Sequence, residues 1–197
     1  MKSLIKKFQE KFNYRKRYDI LKLIPPDSTG AEIGVFKGDF SKLILKHAKP
    51  QKVHFIDGWW TLYGEYFPDW GRYTNYGKLK TRDAYESFIR KIQPYRKQSD
   101  IKIHVGNDLE ILKSLPDNYF DWVYIDSSHE FDHTYQELII LKDKIKENGI
   151  IMGHDFITDE SNIHYGVKKA IDTFIIEYKY HIYYLDTFTQ WAIKKTV

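Results

Sequence analysis

Five short apolar runs, at about residues 31–35, 52–56, 101–105, 121–126 and 149–154, alternate with stretches of helical spacing at about 39–48, 80–93, 107–115 and 130–146. Each run is too short for a buried helix and apolar at consecutive positions, so both of its faces must be covered. Such strands belong to parallel sheets with a helix in every crossover, and right-handed crossovers generate a doubly wound α/β fold. The alternation stops after a helix at 166–179. There "YHIYYLD" and "QWAIKK" flank a short turn at Thr187–Thr189 and predict a terminal β-hairpin on one edge.

At 197 residues, 42% of them hydrophobic, the chain has the size and apolar content of one domain. It contains no cysteine, which excludes disulfides, thiolate metal sites and cysteine nucleophiles; a metal would need oxygen or histidine ligands. No window reaches the roughly 18 apolar residues of a membrane span, and the amino end lacks a secretory signal. A soluble, cytoplasmic protein is expected. Residues 1–26 are rich in lysine and arginine, and Leu4, Ile5, Phe8, Phe12 and Leu21 recur at helical spacing. They predict a basic amphipathic helix ahead of a single domain at 27–197. Its charge reads as a solvated face or a homo-oligomer contact. A nucleic-acid footprint would spread charge along a groove beside stacking residues.

Between Asp57 and the helix near Lys80 the rhythm fails. "GWWTLYGEYFPDWGRYTNYG" holds three of the five tryptophans, and a structureless stretch of that length in a compact domain is usually functional. Its aromatics suit a lid or an acceptor-binding wall, and equally a self-packed loop or an oligomer interface.

In an open α/β sheet, ligands lie beyond the carboxyl ends of the strands, where glycines let backbone approach. The first strand runs into "AEIGVFKGDFS", so Gly34 and Gly38 bracket a candidate cofactor loop, though without the GxGxxG dinucleotide spacing. The second ends "VHFIDGWW", placing Asp57 where an acid can accept both hydroxyls of a ribose. The third ends "IHVGNDLE". Asn107 and Asp108 then lie next along the rim, to meet an adenine edge or to cap the following helix.

These motifs, followed by "DWVYIDSSHEFD", "GIIMGHDF" and the hairpin, resemble in their order class I S-adenosylmethionine-dependent methyltransferases over roughly residues 27–197. The resemblance implies a Rossmann-like, seven-stranded, mostly parallel sheet with an antiparallel last strand, and S-adenosylmethionine as cofactor. It implies Glu32 and Gly34 at the methionine and sulfonium end, Asp57 on the ribose, and Asn107 with Asp108 around the adenine.

If the fourth and fifth strands are neighbours, their carboxyl ends lie roughly 5 Å apart and bring Asp126 and Asp155 together. Two carboxylates that close repel unless one is protonated or a cation lies between them. Mg²⁺ would satisfy both; His154 either adds a nitrogen ligand, which favours Mn²⁺, or points to the other face as a structural residue. His129, three residues beyond Asp126 at the start of a helix, is placed to take a proton from a polarised hydroxyl. The alternative is a capping histidine and an acid bound to loop amides. Asp126, His129 and Asp155 are similar in placement to the ligands and base of the metal-dependent sugar O-methyltransferases of the macrocin and mycinamicin type. That similarity implies a small hydroxylated acceptor, a sugar; the charge pattern and the absence of a membrane span set the further expectation of neither nucleic acid nor membrane as partner. Trp59, Trp60, Tyr63, Tyr66, Trp70 and Tyr165 would then border the acceptor cleft. A metal-independent methyltransferase and a non-catalytic nucleotide-binding or assembly protein on the same fold are the competing readings.

Overall fold

The computed structural model describes residues 18–196, so the basic helix expected in 1–26 lies almost wholly outside the described residues. Within them, Ile20–Leu23 forms one 3-10 turn that buries Ile20 and Leu21. Seven strands make one sheet: β1 (Thr29–Ile33), β2 (Lys52–Asp57), β3 (Asp100–Val105), β4 (Phe120–Ile125), β5 (Ile145–Gly153), β6 (Tyr180–Leu185) and β7 (Trp191–Lys195). Their spatial order is β3-β2-β1-β4-β5-β7-β6. The first five are parallel, and β7 runs antiparallel to both neighbours. The helices are α1 (Asp39–Leu43, continued by a π turn through Ala48), α2 (Trp59–Tyr63), α3 (Thr81–Ile92), α4 (Asp108–Ser114), α5 (Phe131–Lys144) and α6 (Tyr165–Tyr178).

The apolar runs behave as covered parallel strands. In β4, Trp122 and Tyr124 enter one core with Phe40 and Leu43 of α1 and Phe88 and Ile92 of α3. Val123 and Ile125 enter the other, with Leu112 of α4, Leu138 of α5 and Phe174 of α6. Each large apolar side chain buried this way contributes about 1.5–3 kcal/mol, which fixes the sheet between two helical layers.

Three details differ from the sequence reading. β1 begins at Thr29 rather than 31, because the Thr29 amide donates to Asp121 Oδ2 at 2.7 Å and Gly30 already pairs with Val53 and Trp122. α5 stops at Lys144, whose ammonium donates to Leu115 O and Asp117 Oδ1, both at 2.7 Å, and β5 starts at the next residue. The aromatic stretch is not structureless: it holds α2, a 3-10 turn at Gly71–Thr74 and an antiparallel bridge from Tyr66 to Lys80. Trp59 anchors it, fully buried, stacked on Phe88 and edge-on to Tyr85. The expected hairpin is present at the edge of the sheet, with β7 paired to β5 and β6 outermost. No helix among the described residues is long and apolar enough to cross a membrane.

Candidate active site

The strand order reverses between β1 and β4, with β2 and β3 added on one side and β5 on the other, which makes their carboxyl ends the switch point of the sheet. Hydrogen bonds continue past the strand ends: Gly106 N to Asp57 O, Gly34 N to Ile56 O, Asp126 N to Ile33 O and His154 N to Ile125 O. One row of residues therefore lines the rim, with the expected cofactor positions at one end and the expected acceptor positions at the other.

At the cofactor end, Gly34 turns the chain with φ +85°. A Cβ there would sit 2.1 Å from the Asp126 carbonyl oxygen, so the close approach of β1 to β4 requires glycine. The turn is held by Asp57. Its Oδ2 accepts the amides of Val35 and Phe36 at 2.9 and 2.7 Å, and its Oδ1 accepts Trp59 N at 2.9 Å. Phe36 and Trp59 are held at positive φ, +51° and +35°, strain that these bonds offset. Burial pushes the Asp57 carboxyl up, against the opposing pull of the amides. A ribose would have to share an oxygen that already holds backbone. Gly38, at φ +75°, starts α1. Glu32 is buried beneath that helix, where Ser41 Oγ donates to its Oε2 at 2.5 Å.

Asn107 caps α4 by accepting Glu110 N at 3.1 Å, the capping alternative named above. Asp108 accepts Leu109 N with Oδ1, and His133 Nε2 lies 2.7 Å from its Oδ2. Both residues reach the rim, but their oxygens are committed to α4 and α5.

At the acceptor end, Asp126, His129, His154 and Asp155 come together. His129 Nε2 is 2.7 Å from Asp155 Oδ2. His154 Nδ1 is 3.0 Å from Asp155 Oδ1 and 3.9 Å from Asp126 Oδ1, so one imidazole faces both acids. His154 therefore points into the site and not to the far face of the sheet. Asp155 sits at φ +62°, a left-handed conformation held by its surroundings. Those include Trp191 of β7, whose Nε1 donates to His154 O at 2.9 Å. Burial alone would raise the Asp155 carboxyl. Hydrogen bonds from His129 and His154, and the charge of both rings, more than offset it and hold the group well below the usual carboxylate range. Burial likewise works against protonation of His129, yet the hydrogen bond and charge of Asp155, with Asp126 behind it, raise this imidazole above its ordinary value.

A small cavity of about 10 Å³ lies here, lined by Asp126, Ser128, His129, Thr134, His154 and Trp191 among others. That is room for about one water molecule, far below the ~300 Å³ of typical ligand pockets, so an acceptor would have to lie on the open rim outside it. The sequence reading missed His164. It precedes α6, with its ring 4.1 Å from His129 and its Nδ1 buried without a hydrogen bond. Burial and the nearby His129 charge lower it. The structural signal is Gly166: a Cβ there would lie 2.6 Å from His129 O, so only glycine lets α6 approach this closely. Tyr165, expected at the cleft, instead donates to Glu160.

Two sets of donor atoms lie within 4.8 Å of one another at this end: Asp126, His154 and Asp155, and His129, Asp155 and His164. The first mixes two carboxylates with one imidazole, a donor set that fits Mg²⁺ or Mn²⁺. Of the aromatic segment, Trp59 is in the core and Trp60 lies under Arg82. Tyr63, Phe67 and Trp70 pack with Phe36 of the cofactor turn, and Trp70 remains 45% exposed. That cluster is the part of the segment bordering the rim.

The sequence matches the family described as "Methyltransferase domain" over residues 31–156. A search of curated proteins gives no match. Among solved structures the chain is similar to SAH-bound methyltransferase PaMTH1 of Podospora anserina, with a TM-score of 0.58 and 15% identity, covering 96% of this chain and 78% of that one. It is similar to the O-methyltransferase TomG of Streptomyces achromogenes, in complex with SAM, with a TM-score of 0.60 and 15% identity over 90% of this chain and 77% of that one. The B. subtilis M1A22 tRNA methyltransferase TrmK gives a TM-score of 0.55 and 14% identity, covering 90% and 63%. At such identities these likenesses show a shared fold.

Proposed function

We propose, for a chain that belongs to the methyltransferase domain family of class I S-adenosylmethionine-dependent enzymes, that it methylates a hydroxyl oxygen of a small acceptor, a sugar, with His129 as general base. The observation that carries this reading is the His129–Asp155 pair at 2.7 Å beside Asp126, at the end of the rim away from Asp108. S-adenosylmethionine, when bound, supplies the electrophilic methyl group. The Gly34–Gly38 turn and Asp57 would hold it, with Glu32 supporting the turn from beneath and Asn107 and Asp108 beside the adenine. Asp155 accepts from His129 Nε2 and leaves Nδ1 to take the acceptor proton; the imidazolium so formed is stabilised by the same carboxylate. Phe36, Tyr63 and Trp70 pack beside the Gly34 turn and would wall the cofactor end of the rim. In this reading residues 27–197 form one cytoplasmic catalytic domain and the basic segment 1–26 a subunit contact.

Asp126, Asp155 and His154 are the residues that would hold a divalent cation, Mg²⁺ or Mn²⁺, which when bound would polarise the acceptor hydroxyl. A metal-independent reading is favoured by a different observation: His129 and His154 already face Asp155 at 2.7 and 3.0 Å, so imidazole hydrogen bonds can satisfy this acid without a cation. The test measures S-adenosylhomocysteine release with sugar acceptors before and after chelation. Metal assistance predicts a loss of about 10-fold or more on chelation, restored by Mn²⁺ or Mg²⁺. Unchanged turnover gives the metal-independent reading. No release with any hydroxylated acceptor, from a chain that binds the cofactor, rejects the O-methylation proposal.

The pH dependence follows from the same pair. The base must be neutral to act, and Asp155 raises His129, so kcat/KM is expected to fall on the acid side with a midpoint above the ordinary imidazole value of 6.5. Asp155→Asn removes the carboxylate and should move that midpoint to lower pH while reducing the plateau. A wild-type midpoint below the ordinary value would dismiss His129 as the titrating base.

A further inference from the structure

Behind the β4–α5 loop lies a second polar cluster that the proposed chemistry does not use. Glu137 of α5 is fully buried. Ser127 Oγ, in the loop between Asp126 and His129, donates to Glu137 Oε1 at 2.6 Å. His133, one turn earlier on the same helix face, lies between two acids, 2.7 Å from Asp108 Oδ2 and 3.9 Å from Glu137 Oε1. Glu137 Oε2 is buried with no hydrogen bond of normal geometry, although donor atoms of Asp108, His133 and Glu137 all fall within 4.8 Å of one another. A fully buried polar side chain left half satisfied is costly, and α5 could pack here with a leucine instead.

We propose that Glu137 is a positioning residue that couples the Asp108 edge of the cofactor cleft to the loop carrying Asp126 and His129, through His133 on one side and Ser127 on the other. This rests on the reading of Asp126 and His129 as acceptor-side residues. A ligand amino group that draws the Asp108 carboxylate releases His133, whose other acid is Glu137. Glu137 then divides its oxygens between His133 and Ser127, and the loop position follows. Burial, reinforced by the Asp108 charge, pushes the Glu137 carboxyl well up and so favours the protonated form, which can donate towards Asp108 while His133 is engaged there. The two ends of the rim are thus joined behind the sheet as well as along it.

The test is calorimetric titration of S-adenosylhomocysteine into wild type, Ser127→Ala, Glu137→Gln, Glu137→Ala and the Ser127→Ala/Glu137→Ala double variant. Ser127 is on the acceptor loop and bonds to none of the expected cofactor residues, so a purely local role leaves cofactor affinity alone. Coupling predicts that Ser127→Ala weakens binding about 5-fold or more, the lower end for linked sites. The double variant should be no weaker than Glu137→Ala alone, since both cut one path. Glu137→Gln should restore wild-type affinity, because a neutral amide keeps the acceptor for Ser127 and a donor towards Asp108. Unchanged affinity in Ser127→Ala, or single effects that multiply in the double variant, overturns the coupling. Should Glu137→Ala not fold, the first and third variants decide alone. Absence of any binding by the wild type would instead refute the cofactor assignment, and this proposal with it.

Discussion

His129→Ala is expected to lower kcat by about 100- to 10,000-fold, the usual contribution of a positioned general base, while leaving S-adenosylhomocysteine affinity close to that of wild type. The split follows from position. His129 stands at the acceptor end of the rim, bonded to Asp155, whereas Asp57 holds the amides of the Gly34 turn. The removed ring leaves Asp155 with one imidazole partner instead of two, so its carboxyl should rise towards the ordinary range and weaken the pairing that orders the site. Single-turnover kinetics beside calorimetry read the two quantities separately. A kcat within a few-fold of wild type would remove His129 from the chemistry, and an equal loss in both quantities would make it a fold-supporting residue.

Gly34→Ala is expected to cost about 2–4 kcal/mol of stability, combining a positive-φ penalty with forced overlap. The new methyl would lie 2.1 Å from Asp126 O and 2.8 Å from the Ser127 Cα, both backbone, so no side chain can rotate away to accept it. For a chain of this size that corresponds to a melting point lowered by roughly 5–15 °C. Relief by separation of β1 from β4 would break the Asp126 N to Ile33 O bond and misplace Asp126. Cofactor affinity and turnover should therefore fall together with stability. A thermal melt unchanged within about 2 °C would show that the junction yields more easily than its geometry implies.

The legible part of this site was the part fixed by strand ends. Asp57, Asp126 and Asp155 each follow a short apolar run, and sheet order then brings β4 beside β5 without further information. His154 came with them because it immediately precedes Asp155. What the sequence did not carry is which hydrogen bonds a polar group accepts once several compete. Asp57 reads as a ribose acceptor, yet it holds three amides, because Phe36 and Trp59 need a partner at positive φ. Asp108 reads as an adenine neighbour, yet α5 presents His133 to it from a helix whose rotation is set by core packing. His164 was not legible because its place depends on how closely α6 approaches, which one glycine permits. Trp59 reads as a binding surface from its polar company, and only the tertiary contact with Phe88 reveals it as core.

The place of β7 between β5 and β6 has a consequence for how the molecule comes into being. β5 stays open along one flank until Trp191 pairs with Gly153 and its indole reaches the His154 carbonyl. A growing chain can thus complete the half that would cradle adenosine while the half bearing Asp155 still lacks its brace. During synthesis, the capacity to grip the methyl donor would precede the capacity to spend it.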